Sequence, residues 1–167
     1  MQTKKLVLIA LYTTIALTLF VVEAQIPLPV PIPGVKLGLS NIVTLAALLF
    51  LGKGAAGMIL AARITLGALL IGAPSTLLFS AVGGLFAFLI MIAAYKFVGR
   101  KQIWAVSILG ALAHNAGQLI IAAWLFRTMA IFAYSPILIL SAILTGCLTG
   151  LAAQHLLRYE RWLSVEK

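Results

Sequence analysis

Apolar residues occur in six runs along the chain, separated by short polar or basic segments. The runs cover residues 6–22, 39–51, 55–71, 76–97, 103–126 and 129–157. A membrane-spanning helix needs about 20 predominantly apolar residues. The second run is short, so it either barely crosses the bilayer or forms a re-entrant or tilted element that lines a cavity. The pattern predicts an all-α integral membrane bundle of about six helices, in a single domain over residues 1–167.

Composition agrees with this class. Hydrophobic residues make up 63% of the 167 residues and charged residues 9%, whereas soluble domains are nearer half apolar and a quarter charged. A net charge of +9 would suggest nucleic-acid binding in a soluble protein. Here most Lys and Arg lie at the ends of apolar runs, and no nucleic-acid-binding motif contains them. We therefore interpret them as topology determinants beside membrane lipid.

The basic residues also predict an orientation. If the N-terminus is cytoplasmic, six crossings return the C-terminal tail 158–167 to the cytoplasm, and only Lys36 and Arg127 face outward. The loop 24–38 then lies outside. An alternative interpretation takes the first run as a signal peptide cleaved near Ala24. That run is longer than a typical signal core, and its removal would break the charge balance of the other segments.

The chain contains no Asp and only three acidic residues, Glu23, Glu160 and Glu166. The last two lie in the polar tail and Glu23 is predicted at a membrane edge, so the buried part is expected to contain no carboxylate. Carboxylate-bound Mg²⁺, paired-carboxylate catalysis and a Ser-His-Asp triad are thereby excluded. Cys147, the only cysteine, is predicted to be a small packing residue. No metal site or cofactor is predicted, because His155 at the cytoplasmic end is one of only two histidines.

Arg63 lies near the middle of the third run. An arginine at that depth costs roughly 2.5–3.5 kcal/mol on insertion scales, so a partner is expected to offset the cost. Backbone carbonyls, water, an anionic ligand, or Glu23 reaching in from the outer edge could serve. We favour a ligand-binding or gating role. The alternative is an arginine that caps an unwound helix end or extends outward to the interface.

The fifth run has a polar face near its centre. His114 and Gln118 are four residues apart and Asn115 and Gln118 three apart, so the three share one helical face. Asn41 and Thr44, in the short second run, are predicted to face the same space. These groups form candidate hydrogen-bonding partners for a substrate. Hydrogen bonding between helices is the open alternative.

A proline-rich segment separates the first two runs. Pro27, Pro29, Pro31 and Pro33 occupy every second position, which forbids a helix and favours an extended polyproline-like strap. The strap is interpreted either as a rigid connector or as a lid over an outward-facing pocket. In the second case Lys36 would assist ligand binding at the mouth.

Small residues recur every fourth position on two of the predicted helices, as they do where membrane helices pack closely. Packing within the chain is the default interpretation, and docking of another membrane subunit is the alternative. The two sets are Ala10, Thr14 and Thr18 on the first helix and Ala142, Gly146 and Gly150 on the sixth.

The segment 33–45 (PGVKLGLSNIVTL) resembles a bacterial membrane family known under two labels, heptaprenyl diphosphate synthase component I and Gx transporter. Further matches follow in order: Arg63 with residues 66–72, then 79–84, and 113–118 (AHNAGQ). The family is similar in architecture to the S components of energy-coupling factor transporters. This resemblance implies a six-helix protein of the bacterial cell membrane that binds a vitamin-like solute from outside. It also implies a coupling subunit and ATPases on other chains, although Ala10-x-x-x-Thr14 only approximates the usual Ala-x-x-x-Ala docking motif.

The residues discriminate between the two labels. Prenyl diphosphate synthases hold pyrophosphate through Mg²⁺ on Asp-rich motifs, and this chain has no Asp. It also lacks a Gly-x-x-x-x-Gly-Lys-Ser/Thr loop, so any ATP hydrolysis belongs to another chain. The sequence therefore predicts a non-enzymatic, substrate-binding transporter subunit for a small anionic, vitamin-like or isoprenoid-related solute. A non-catalytic accessory component of heptaprenyl diphosphate or quinone synthesis remains the alternative, and a ligand-free scaffold is the third interpretation.

Overall fold

The computed structural model describes residues 3–26, 36–72 and 74–157. These contain six α-helices and no strand, so the all-α prediction is confirmed. Short 3-10 helices, Arg100–Gln102 and Met129–Tyr134, precede the last two. The α-helices are α1 (Thr3–Glu23), α2 (Asn41–Phe50), α3 (Lys53–Ile71), α4 (Pro74–Val98), α5 (Ile103–Phe126) and α6 (Ser135–Leu156).

All of the helices except α2 are long and apolar enough to cross a membrane. Their outer surfaces expose large apolar side chains; for example, Leu69 is 74% and Trp124 70% exposed. A surface of this kind is unfavourable in water and suits a lipid environment. The chain is therefore a multi-pass membrane protein.

Helix α2 is the central element of the bundle. It has only 10 residues, or about 15 Å of helix at 1.5 Å per residue, and eight of them are buried. It contacts each of the other five α-helices. The predicted short second segment is thus confirmed as short. Because the other helices surround it, α2 itself is largely shielded from lipid.

Glycines bring α5 close to its two neighbours. A Cβ atom added at Gly117 would lie 3.0 Å from the Cα of Gly83 in α4, and one added at Gly150 would lie 2.5 Å from the Cα of Trp104 in α5. Ala142, on the same stripe of α6 as Gly150, is fully buried. Packing within the chain is therefore correct for the small residues of α6.

The small residues of α1 behave differently. Ala10, Thr14 and Thr18 are exposed, and the two hydroxyls donate to carbonyls one turn earlier in the same helix, over 3.0 Å each. Helix α1 packs on α3 through another face that buries Ala16 and Phe20. The three side chains therefore lie outside the buried face that α1 forms within the described residues, and docking of another subunit stays a prediction.

The sixth apolar run does not form one continuous α-helix. Residues 129–134 form a 3-10 helix, and α6 begins at Ser135 with Pro136 in its first turn. Proline favours the first turn of an α-helix but cannot donate the backbone hydrogen bond that a continuous helix would need. The predicted sixth segment is nevertheless confirmed as an apolar helical span over Met129–Leu156, and its first six residues are a 3-10 helix.

Two predicted features lie outside the described residues. The first is the strap containing Pro27, Pro29, Pro31 and Pro33, and the second is the tail 158–167. The lid and connector interpretations of the strap remain predictions.

Candidate functional site

A group of buried polar side chains lies where the end of α1, the loop before α2, the start of α2 and the middles of α3 and α5 meet. All of its members are less than a tenth exposed. We call this group the polar cluster; it consists of Glu23, Lys36, Ser40, Asn41, Arg63, His114 and Gln118.

Arg63 is the deepest cation of the cluster, at 1% exposure. Its Nη1 donates to the hydroxyl of Ser40 over 2.9 Å. Its Nε and Nη2 atoms have no hydrogen-bond partner within the described residues. Arg63 therefore does not extend outward to the interface, and most of its guanidinium donors remain available.

Glu23 is buried at 3% exposure, which corrects the expectation that the buried part contains no carboxylate. Its Oε1 accepts a hydrogen bond from the backbone N–H of Gly38, while its Oε2 is unpaired among the described residues. The sequence placed Glu23 correctly at the end of the first run. It did not indicate that the loop before α2 returns to cover it.

Lys36 enters the cluster from the loop. Its Nζ lies 3.3 Å from the centroid of the Phe20 ring, a cation–π geometry, and its backbone N–H donates to Oε1 of Gln118 over 3.3 Å. Burial lowers the pKa of Lys36 to about 8; the charge of Glu23 opposes this shift and that of Arg63 adds to it. Lys36 is therefore mostly protonated at pH 7 and loses its proton as the pH rises above about 8.

Gly38 makes room for two other members of the cluster. Its φ is +81°, and a Cβ atom added there would lie 2.8 Å from Nδ2 of Asn41 and 3.0 Å from Cδ2 of His114. On the other side of the imidazole, a Cβ atom at Gly83 would lie 2.9 Å from Nδ1 of His114. Two glycines therefore create the space for one histidine.

The cluster contains many unpaired polar atoms for a buried region. Buried polar groups in folded proteins nearly always have a hydrogen-bond partner. Nδ1 of His114 lies beside the Gly83 backbone without a well-formed hydrogen bond. Within the part of the chain that the structure describes, the unpaired atoms of the cluster are Glu23 Oε2, Lys36 Nζ, Asn41 Nδ2 and Oδ1, Arg63 Nε and Nη2, and His114 Nδ1.

The predicted site residues are brought together with one exception. Arg63 donates to Ser40, the residue before Asn41, and Asn41 and His114 both lie against Gly38. Gln118 accepts from the backbone N–H of Lys36. Asn115 instead donates from Nδ2 to the carbonyl of Leu138 in α6, over 2.8 Å. Its Nδ2 thus makes the inter-helix hydrogen bond that the sequence left as the alternative, while its buried Oδ1 has no partner within the described residues.

Sequence reasoning missed four contributors: Phe20, Glu23 as a buried group, Gly38 and Ser40. Phe20 and Glu23 are three residues apart on α1, so they share a face that could have been proposed as buried. Ser40 directly precedes the polar Asn41. No group of three His, Cys, Asp or Glu residues suitable for a metal ion occurs among residues 3–26, 36–72 and 74–157.

Fold and cluster together define a class: a multi-pass α-helical membrane protein with a donor-rich polar cluster enclosed around a short central helix. The sequence model of a family described as heptaprenyl diphosphate synthase component I matches residues 12–156, and the chain belongs to this family. The resemblance found in the sequence is thereby confirmed. Comparisons with curated proteins and with solved structures gave no match.

Proposed function

We propose that the chain is the substrate-binding membrane subunit of a transporter, similar to the S components of energy-coupling factor systems. It would capture a small anionic solute at the polar cluster. The observation that carries this proposal is the concentration of unpaired buried donors around Arg63. A membrane protein gains nothing in stability from such atoms, because each buried unpaired group costs about 1–3 kcal/mol. A bound ligand would supply the missing partners.

The roles follow from the positions of the side chains. Nε and Nη2 of Arg63 would bind the anionic group of the solute, and Lys36 would add a second positive charge from the loop. Asn41 and His114 would form hydrogen bonds to the remainder, and Gln118 would hold the loop through the Lys36 backbone. Asn115 is left out of this site because its amide binds α6.

Other parts of the proposal concern partners and location. The exposed small residues Ala10, Thr14 and Thr18 would form the docking face for a membrane coupling subunit. ATPase subunits on other chains would supply the energy. The protein would reside in a bacterial cell membrane with both termini in the cytoplasm, and the proline-rich strap would act as the outer lid.

A second function is favoured by the family's description. The protein would then be a non-catalytic accessory component of heptaprenyl diphosphate synthesis that binds a prenyl diphosphate or the catalytic component. Catalysis by this chain itself does not fit, because the sequence has no Asp for an Asp-rich Mg²⁺ motif.

Mass spectrometry of the ligand that copurifies with the protein separates these functions. A water-soluble solute supports the transporter subunit, and a prenyl diphosphate supports the accessory component. Arg63→Gln should lose that ligand while the matched variant Arg127→Gln, at the exposed end of α5, retains it. Recovery of no specific ligand, or equal retention by both variants, would contradict ligand binding and favour the scaffold.

A further inference from the structure

The polar cluster surrounds the N-terminus of α2, which begins inside the bundle. Helix N-termini carry a partial positive charge of roughly half a unit, which favours anions. In α2 the N–H groups of residues 41–43 bond to the carbonyls of residues 38–40, so the donors for an anion must come from side chains. The first turn of α2 contains no acidic residue. Ser40, at the N-cap position, has helical backbone angles (φ −62°, ψ −15°) and makes no capping hydrogen bond with its side chain. Its hydroxyl accepts from Arg63 instead.

Two unpaired side chains stand at this helix start. The guanidinium of Arg63 is held to the N-cap residue of α2 by the hydrogen bond of Nη1 to Ser40. Its Nε and Nη2 have no partner within the described residues, and Nη2 lies on the side of α4, 3.3 Å from a Cβ atom added at Gly84. Asn41, the first residue of α2, is 7% exposed and has no partner for either side-chain atom within the described residues. The helix start and these donors form a site for an anionic group.

Glu23 occupies an unexpected position beside this site. A carboxylate at the last residue of a helix is opposed by the negative end of the helix dipole, so α1 itself gives no reason for a glutamate there. Its Oε1 binds the N–H of Gly38, three residues before α2 begins. Its charge attracts both Lys36 and Arg63 through space. Glu23 thus acts on the same cations that a bound anion would use.

The formal charges of the cluster can be added. Arg63 and Lys36 contribute one positive charge each, Glu23 one negative charge, and a neutral His114 none. The sum is one positive charge, together with the partial charge of the helix start. A ligand group with one negative charge neutralises this sum, whereas a group with two or three negative charges exceeds it.

Resting on the function proposed above, we propose that Glu23 is a built-in counter-anion that fixes the charge selectivity of the site. The site then takes a monoanionic group, a carboxylate, and disfavours a diphosphate. Like charges placed close together in a region of low dielectric repel strongly. Glu23 is therefore a specificity-determining residue that opposes the binding of multiply charged ligands.

Two probes with the same six-carbon tail test this inference: n-hexanoate and n-hexyl diphosphate, with n-hexanol as the uncharged reference. Binding is measured by calorimetry on the full chain in lipid nanodiscs. The Arg63→Gln variant serves as the reference for probe that enters the lipid without binding at the site. The wild-type protein should bind hexanoate more tightly than hexyl diphosphate. Glu23→Gln keeps an oxygen acceptor for the Gly38 N–H but removes the charge, so it should tighten hexyl diphosphate by roughly tenfold or more and reverse the preference.

Glu23→Asp, which keeps the charge, should retain the wild-type preference. If Glu23→Gln fails to fold, Lys36→Gln serves instead and should weaken hexyl diphosphate more than hexanoate. The inference is overturned if the wild-type protein prefers hexyl diphosphate, or if hexanoate binds no better than hexanol. It is also overturned if the ratio of the affinities for hexanoate and hexyl diphosphate is the same in Glu23→Gln as in the wild-type protein. A multiply charged, water-soluble copurified solute that depends on Arg63 would overturn this inference while leaving the proposed function intact.

Discussion

The guanidinium of Arg63 is bound to the hydroxyl of Ser40 over 2.9 Å, which joins the middle of α3 to the start of α2. Both side chains are 1% exposed. A serine before a helix usually accepts from the backbone of the first turn, but Ser40 makes no such capping bond. Its hydroxyl instead accepts from Nη1 and so holds the guanidinium in place, while Nε and Nη2 have no partner within the described residues.

Ser40→Ala should therefore weaken ligand binding without removing a helix cap. A hydrogen bond to a charged group contributes about 1.5–3 kcal/mol, so the affinity for the copurified ligand should fall about tenfold or more. Ser107→Ala is the matched control, because Ser107 is also a buried serine but its hydroxyl pairs with Thr149 over 2.9 Å. Calorimetry on both variants checks this, and equal affinities would contradict an orienting role for Ser40.

Gly38→Ala should disrupt the polar cluster. The φ of +81° disfavours alanine, and the new Cβ atom would lie 2.8 Å from Asn41 Nδ2 and 3.0 Å from His114 Cδ2. Gly52→Ala is a close control: its φ is +85°, yet a Cβ atom there has no neighbour within 4 Å. Both variants carry the backbone cost of about 1–3 kcal/mol, so both should unfold at a lower temperature.

Only Gly38→Ala should also lose ligand affinity, because only its methyl group displaces the side chains of the site. Thermal unfolding and ligand binding are measured on the two proteins in the same detergent. Loss of binding in both variants would indicate that general backbone strain, and not the geometry of the cluster, controls affinity.

Anion affinity should depend on pH through Lys36. Burial lowers the pKa of Lys36 to about 8, and the charged groups that face it are Glu23 and Arg63. A bound anion favours the protonated lysine, so binding takes up a proton wherever free Lys36 is neutral. Affinity should fall as the pH rises above about 8, by at most about tenfold per pH unit for one proton.

Lys36→Arg supplies the control for this pH dependence, because arginine stays protonated throughout the range. Its affinity for n-hexanoate should be nearly independent of pH between 7 and 10. A pH profile that is the same in the wild-type and Lys36→Arg proteins would show that another group titrates.

The amino-acid pattern predicted the fold more completely than the site. Long apolar runs report directly on helices that cross a bilayer, so five helices and the short second one could be located from hydropathy alone. The change from 3-10 to α-helix at residue 135 was not predicted, because residues 129–134 are as apolar as the rest of the span. Pro136, within that run, was the available signal.

The site was predicted in part, for a physical reason. Arg63, His114 and Gln118 stand out because polar side chains are costly within apolar runs. Glu23 lies at the end of a run, where a charge needs no explanation, and its burial depends on a loop that folds back onto α1. Long-range contacts of this kind leave no periodic signal in the sequence, so Glu23 was predicted at the membrane edge.

Asn41 and Asn115 should respond in opposite ways to the same substitution. Both are nearly fully buried, and leucine has a similar size to asparagine. Neither polar atom of the Asn41 side chain has a partner within the described residues, so Asn41→Leu removes unpaired groups and should stabilise the ligand-free protein by about 1 kcal/mol. The same variant should bind the copurified ligand weakly or not at all.

Asn115→Leu removes the hydrogen bond to the Leu138 carbonyl and should destabilise the protein by about 0.6–2 kcal/mol, while ligand affinity changes little. Thermal unfolding without ligand and calorimetry with ligand measure the two effects separately. The crossed pattern distinguishes a residue kept for binding from one kept for packing, because a purely structural cluster would lose stability in both variants. A less stable Asn41→Leu protein that still binds ligand would exclude Asn41 from the site.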